Sequence, residues 1–319
     1  MATATFTTPD RVRVTAWLQQ YGVYLAVGVL LLFNALFTAN FLSAANFRTQ
    51  LVQAAPVCIV ALGMALVIGT EGIDLSVGSV MALTAALVPL YLGAGPAAAI
   101  AAALAAGVLS GLFSGFLVAF LGIQPIIATL ALLVGGRGLA LVLAHGQLLG
   151  LHNPTFLALG TGDVLGVPVM VLVAGVLAVL AGLLVQRTAF GRRLVAIGGN
   201  RAASALAGLP VRRVLLTVYA LSGGLAAIAG VLATARLGAG DPSDLGQLME
   251  LSAITAVVVG GTPLTGGRVR VLGTVFGALL MQLVHATLIK HDLPDSAAQM
   301  AQAAIIVVAV YLARERSGR

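Results

Sequence analysis

The chain has 319 residues, of which 60% are hydrophobic and only 8% charged. A soluble domain carries about 25% charged residues, so no water-soluble fold of this size hides so much apolar surface, and the solvent is largely lipid. The net charge of +7 then points to membrane orientation rather than to nucleic acid, because cytoplasmic loops collect Lys and Arg; the single cysteine, Cys58, excludes an intrachain disulfide and reads as a small core residue.

The first 16 residues are polar and hold Arg11 and Arg13. The apolar run behind them is long enough to stay as an uncleaved first helix. A hydrocarbon layer about 30 Å thick needs roughly 20 apolar residues per helix. Ten candidate segments follow, at about 17–41, 51–69, 74–92, 96–121, 125–143, 164–185, 214–235, 248–261, 271–289 and 297–312, the eighth of them short. Pro96 and Pro125 stand at helix starts, where a missing N–H does no harm.

Between the second and third segments lies IGTEGIDLSVGS, with the acids Glu71 and Asp74 among small residues. Asp74 or Ser76 is expected to cap the third helix at the water-accessible inner edge, where a carboxylate meets the positive end of the helix dipole. Gly69, Gly72 and Gly78 permit a tight reversal there. In the fourth segment Gly107, Gly111 and Gly115 recur every four residues and form a ridge for close helix packing. Arg137, inside the fifth segment, must face protein or water. It is either a contact near the outer mouth of a pathway or a buried residue that locks the bundle. His285 in the ninth segment is read in the same two ways, as a pathway or a structural residue.

Two loops are long. Residues 144–163 lack Lys and Arg, and their Asn153-Pro154 and Gly-rich end suggest an ordered turn structure. Residues 186–213 hold RAASALAG, a short helix that Asn200 caps and Gly208 with Pro210 stops. Its apolar face, Ala202, Ala203, Leu206 and Ala207, either docks into a cleft on a soluble partner or rests on anionic headgroups. The VVVGGTPLTGG run at residues 257–267 echoes VIGTEGIDLSVGS, as expected of a chain with two related halves.

Placing the N-terminus in the cytoplasm and alternating sides tests the ten spans. The inner side then holds Arg11, Arg13, Arg187, Arg192, Arg193, Arg201, Arg212, Arg213, Arg268, Arg270, Arg314, Arg316 and Arg319, which is 13 of the 17 basic residues, against Arg48, Arg236 and Lys290 outside. That asymmetry supports both termini inside. The outer loops carry Asp163, Asp241, Asp244, Asp292 and Asp295.

GIDLSVGSVMA, the Gly-Gly-Asn-x-x-Ala-x-x-x-x-Gly pattern at residues 198–208 and AVVVGGTPLTGGRVRVLGTVFGALL at 256–280 together resemble the membrane permeases of ribose-type ABC sugar importers. The similarity runs from about residue 50 to 312. The resemblance implies an all-α polytopic permease bundle whose second copy or sister permease completes a pore. It implies cytoplasmic ATPase subunits that carry the ATP and magnesium, and a periplasmic sugar-binding protein, in a bacterial inner membrane. Residues Asn200, Ala202, Ala203, Leu206, Ala207 and Gly208 become the coupling helix to the ATPase. A gate or hinge is expected from Glu71, Asp74, Ser76 and Gly78, with Gly260, Gly261, Thr262, Gly266 and Gly267 from the other half.

The chain has no G-x-x-x-x-G-K-[ST] phosphate loop, so ATP hydrolysis belongs to another chain, and it has no His/Asp/Glu cluster with metal or acid–base spacing. The expected organisation is a tail at 1–16, a transmembrane permease domain at 17–312 that includes the cytoplasmic loop 186–213, and a tail at 313–319. The competing expectations are an ion-coupled secondary transporter of a small polar solute, and an ABC permease for a branched amino acid or nucleoside. An ion-coupled carrier needs ionisable residues near the bilayer midplane. Glu71 and Asp74 are expected at the inner edge instead, and Glu250 opens the eighth segment.

Overall fold

A computed structural model describes residues 9–314; residues 1–8 and 315–319, parts of the two expected tails, lie outside the described residues. The helices are α1 (Pro9–Phe37), α2 (Ala44–Gly69), α3 (Val77–Leu92), α4 (Pro96–Ala119), α5 (Pro125–Leu143), α6 (Pro154–Thr161), α7 (Val169–Arg187), α8 (Ala189–Gly199), α9 (Arg201–Leu206), α10 (Val211–Leu237), α11 (Met249–Val259), α12 (Val271–Lys290) and α13 (Asp295–Arg314). Four two-residue strands join them: β1 (Leu149–Gly150), β2 (Asp163–Val164), β3 (Val167–Pro168) and β4 (Ala239–Gly240). β1 pairs antiparallel with β4, and β2 with β3.

Among the described residues six helices, α2, α4, α5, α7, α10 and α12, are long and apolar enough to cross a membrane, and α3 and α11 are shorter apolar helices. The chain is thus a polytopic α-helical membrane protein. α1 begins earlier than the first apolar segment and stops at Phe37, and Ser43 caps α2 by accepting from Asn46 N–H. Pro96 and Pro125 do occupy the first helical positions of α4 and α5.

α2 and α10 form the axis. Both are buried along most of their length, whereas α4, α5 and α7 bury one stripe and leave the remainder exposed. Exposed side chains such as Leu109, Val134 and Val179 are apolar, as a helix surrounded by lipid requires. The Gly107, Gly111 and Gly115 ridge of α4 lies against α10 so closely that a Cβ on Gly107 or Gly111 would enter the backbone at Gly223 or Tyr219. Without a hydrophobic force between helices in lipid, this small-residue contact is the means of tight association.

The bundle has two ends. α8 and α9 cap one, and α6 with the β1–β4 pair caps the other. The loop at residues 144–163 contains an α6 that Asn153 caps by accepting from Phe156 N–H at 3.1 Å, and Phe156 itself is fully buried. Arg48 bonds Asp163 at 2.7 Å on this end. On the flank, α1 packs on α12 through Asn34 Nδ2, which donates to Thr287 Oγ1 at 2.7 Å.

Gly111→Leu is expected to separate α4 from α10. Overpacking costs typically 1–3 kcal/mol, read as a lowered thermal midpoint of the detergent-purified protein, while Gly135→Leu, with open space at its Cβ position, leaves the midpoint in place.

Candidate functional site

α2 ends at Gly69 on the α9 end, and α3 does not start there. Thr70 Oγ1 and Gly72 N–H both bond the Val67 carbonyl, which reverses the chain. Glu71 takes a left-handed turn position (φ +64°) and stays exposed. The chain then runs extended back into the bundle. Thr129 Oγ1 of α5 donates to the Ile73 carbonyl at 3.3 Å, and Asp74 is fully buried. One Asp74 oxygen accepts from Ser76 N–H at 3.0 Å and Ser76 Oγ at 2.6 Å; the other accepts from Ser222 Oγ at 2.7 Å. Ser222 sits about 16 Å along α10 from its start at Val211, at ~1.5 Å per residue.

This corrects the expectation for Asp74 and Ser76. Asp74 is not a cap at a wet edge. It is an acceptor deep in the bundle, three donors surround it, and it joins the start of α3 to the middle of α10. Ser76 is the residue before α3, yet its hydroxyl makes no cap bond because it donates to Asp74 instead. The short side chains at Gly72 and Ser76 let the segment fold inward: a Cβ on Gly72 would meet the buried Tyr219 hydroxyl at 2.7 Å.

A second break enters from the opposite end. After β4, residues 241–248 descend beside α3. Gly240 lies against the Ala85 carbonyl and Pro89, and Gly246 against Gly78 and Met81. α11 therefore starts deep, after Leu248 in the left-handed region (φ +54°). Arg137 reaches across from α5 and donates to the carbonyls of Pro242 at 3.1 Å, Ser243 at 3.0 Å and Leu245 at 3.4 Å. Of its two sequence readings, the geometry is the one in which it locks the bundle. Glu250, buried in the first turn of α11, faces Gly78; its Oε2 has no hydrogen-bond partner among the described residues. The two breaks thus meet back to back at Gly78 and Gly246.

The third irregular segment, residues 260–270, returns to the α9 end. Gly260 crosses Gly273 backbone to backbone, with no room for a Cβ on either. Gly261, Gly266 and Gly267 take positive φ of 86°, 74° and 74°, a region that glycine enters without strain. Thr262 Oγ1 accepts from Arg270 N–H at 3.0 Å. Gly267 N–H donates to the Gly69 carbonyl at 3.1 Å, and Gly266 packs on the Glu71 backbone. Gly198 of α8 closes on both loops, because a Cβ there would strike Gly69 and Gly267. The two Gly-rich motifs of the sequence are brought together, with α8 between them and the end of the bundle.

α9 follows α8 directly. Asn200 Oδ1 accepts from Ala203 N–H at 2.8 Å, and Gly208 ends the turn with φ +77°. Ala202, Ala203, Ala207 and Gly208 are exposed, and Leu206 is 91% exposed. Ser204 is its one buried residue. His285 lies on α12 toward the α6 end, far in the chain order from the junction, and is exposed. Sequence reasoning missed Ser222 as the partner of Asp74 and the whole descending segment 241–248. The signal available was Glu250, an acid within an apolar segment.

The profile of the family described as "Branched-chain amino acid transport system / permease component" matches residues 46–310. The chain is 38% identical over 315 residues to the ribose import permease protein of Bacillus subtilis (strain 168), covering 98% of each. It is 40% identical to the galactofuranose transporter permease protein of Escherichia coli (strain K12), over 83% of this chain and 78% of that one. It is also 40% identical to the fructose import permease protein of Bifidobacterium longum (strain NCC 2705), over 82% and 75%. No solved structure matches the chain.

Asp74→Leu is expected to leave the Ser76 amide and the Ser222 hydroxyl without their acceptor, at about 1–3 kcal/mol per buried group. Asp74→Asn keeps an acceptor oxygen in the same volume and loses less. The thermal midpoint in detergent should therefore fall in the order Asp74→Leu, then Asp74→Asn, with Glu71→Gln, which is exposed, near the unaltered protein.

Proposed function

Given that the chain belongs to this permease family, we propose that it is the transmembrane subunit of an ATP-binding-cassette importer that passes a monosaccharide into the cytoplasm. One observation carries the reading: the identity to a ribose import permease extends over 98% of both chains. The galactofuranose and fructose permeases support sugar over the amino acid of the family's description.

The α9 end is then cytoplasmic, and the arginines agree, since Arg187, Arg192, Arg193, Arg201, Arg212, Arg213, Arg268 and Arg270 all belong to that end. With α1 entering from the same side, α1, α2, α3, α4, α5, α7, α10, α11, α12 and α13 make ten spans with both termini inside, in the inner membrane of a bacterium. The short α3 and α11 each cross with the help of an irregular segment, 70–76 or 241–248.

The exposed face of α9 is the contact for an ATPase subunit. Its alanines and Leu206 are uncovered among the described residues, and ATP with magnesium is held on that partner. A second permease chain, identical or a sister, completes the pore. Asp241, Asp244 and Asp292 on the α6 end face a periplasmic sugar-binding protein. The glycine contacts at Gly69, Gly198, Gly266 and Gly267 form the path by which motion of α9 reaches Asp74 and Gly78, the gate.

Ala203→Arg and Leu206→Asp place charge on the exposed face of α9 without touching the bundle. Both variants should insert and purify normally, while sugar-stimulated ATP turnover of the assembled transporter drops to the unstimulated level. Unchanged stimulation in both refutes the docking role of α9.

A further inference from the structure

On the α6 end, between α11, α12 and α13, lies a cavity of about 230 Å³. This is below the roughly 300 Å³ at which drug-sized sites begin, and so is the size for a small solute. Gln247, Ser252, His285, Gln299 and Gln302 line it, and Gln302 Nε2 donates to Ser252 Oγ at 3.2 Å. Met281 and Val284 supply apolar wall. The cavity has depth. His285 is about 7 Å and Met281 about 13 Å below the end of α12 at Lys290, at ~1.5 Å per residue. Its floor is formed by Gln247 and Leu248, at the foot of the descending segment, next to the meeting of Gly78 with Gly246.

Two physical facts set its use. Gln247, His285 and Gln299 are exposed on this face. Polar side chains at hydrocarbon depth face a water-filled space or other protein, not lipid. The lining carries amides, a hydroxyl and an imidazole, and no Asp, Glu, Lys or Arg. Such groups both donate and accept hydrogen bonds, as sugar hydroxyls do, and they offer no counter-charge to an ion.

We propose that this cavity is a subsite of the translocation path, where Ser252, His285, Gln299 and Gln302 take the hydroxyl groups of a neutral monosaccharide entering from the α6 end. The assignment rests on the importer reading above. Gln247 bonds the Ser243 carbonyl and Asp244 through its amide nitrogen at 2.8 and 3.0 Å, which ties the floor of the subsite to the segment that Arg137 holds. Occupation of the cavity thereby bears on the junction beneath it.

The test uses the complete transporter in cells, with Cys58, which is buried, replaced by Cys58→Ala. Ser252→Cys, Gln299→Cys and, as a lipid-facing control on α7, Val179→Cys are exposed to a membrane-impermeant cationic methanethiosulfonate from outside. Uptake of D-ribose, D-fructose and D-galactose is then measured. The subsite requires labelling of Ser252→Cys and Gln299→Cys with loss of uptake, and no labelling of Val179→Cys. It also requires a severalfold lower maximal uptake in Gln302→Leu. If Ser252→Cys and Gln299→Cys resist the reagent, the face is a seam between protein chains and the proposal falls. If they are labelled and uptake persists, the cavity is off the path and the proposal falls. If the unaltered transporter takes up none of the sugars, the importer reading fails and the subsite with it. Uptake by the unaltered transporter with indifferent variants overturns the subsite alone.

Discussion

The structure depends on one constraint: backbone that leaves helical geometry inside an apolar layer must still find hydrogen-bond partners. An unsatisfied N–H or C=O in hydrocarbon costs several kcal/mol, so irregular backbone is tolerated there only when it is buried in protein or lines a water-filled cavity. The chain breaks helical geometry twice, at residues 70–76 and 241–248, and each break has a dedicated side chain. Asp74 accepts from the Ser76 amide and the Ser222 hydroxyl, and the Thr129 hydroxyl is shared between the Pro125 carbonyl at 2.9 Å and the Ile73 carbonyl at 3.3 Å. Arg137 covers three carbonyls of the other break. A charged arginine within a spanning helix costs roughly 2.5–3.5 kcal/mol on the insertion scale. Three bonds from a charged donor, at about 1.5–3 kcal/mol each, outweigh that cost. Asp74 and Arg137 are thus explained by the backbone they serve before any role in transport is considered.

The same constraint accounts for the glycines. Once two breaks and a return loop share the interior, backbones must touch without side chains between them. Gly198 against Gly69 and Gly267, Gly260 against Gly273, and Gly78 against Gly246 are such contacts. α9 itself contributes almost nothing to the core, with Ser204 as its one buried residue.

Much of this was legible in the sequence, because lipid solvent turns apolar runs of sufficient length into helices. The starts at Pro96 and Pro125, the cap at Asn200 and the stop at Gly208 follow from local chemistry and stand where the residues put them. The small-residue ridge of α4 was legible for the same reason. The depth of Asp74 was not. Local rules assign a carboxylate before a helix to a cap, and they say nothing about a serine 148 positions away that offers a second donor. The segment 241–248 was also unreadable, since it looks like an ordinary polar loop. Its descent is set by Arg137 and by Gly78 making room, both distant in the chain.

The arrangement of the breaks bears on how a solute could pass. The segments enter from opposite ends and meet where Gly78 faces Gly246. Because both contact residues lack side chains, parting them requires no rotamer to be crossed. Asp74 holds the first segment to α10, and Arg137 holds the second to α5. Each break is thus fixed by side-chain bonds to a neighbouring helix, through Asp74 to Ser222 of α10 and through Arg137 of α5 to three carbonyls.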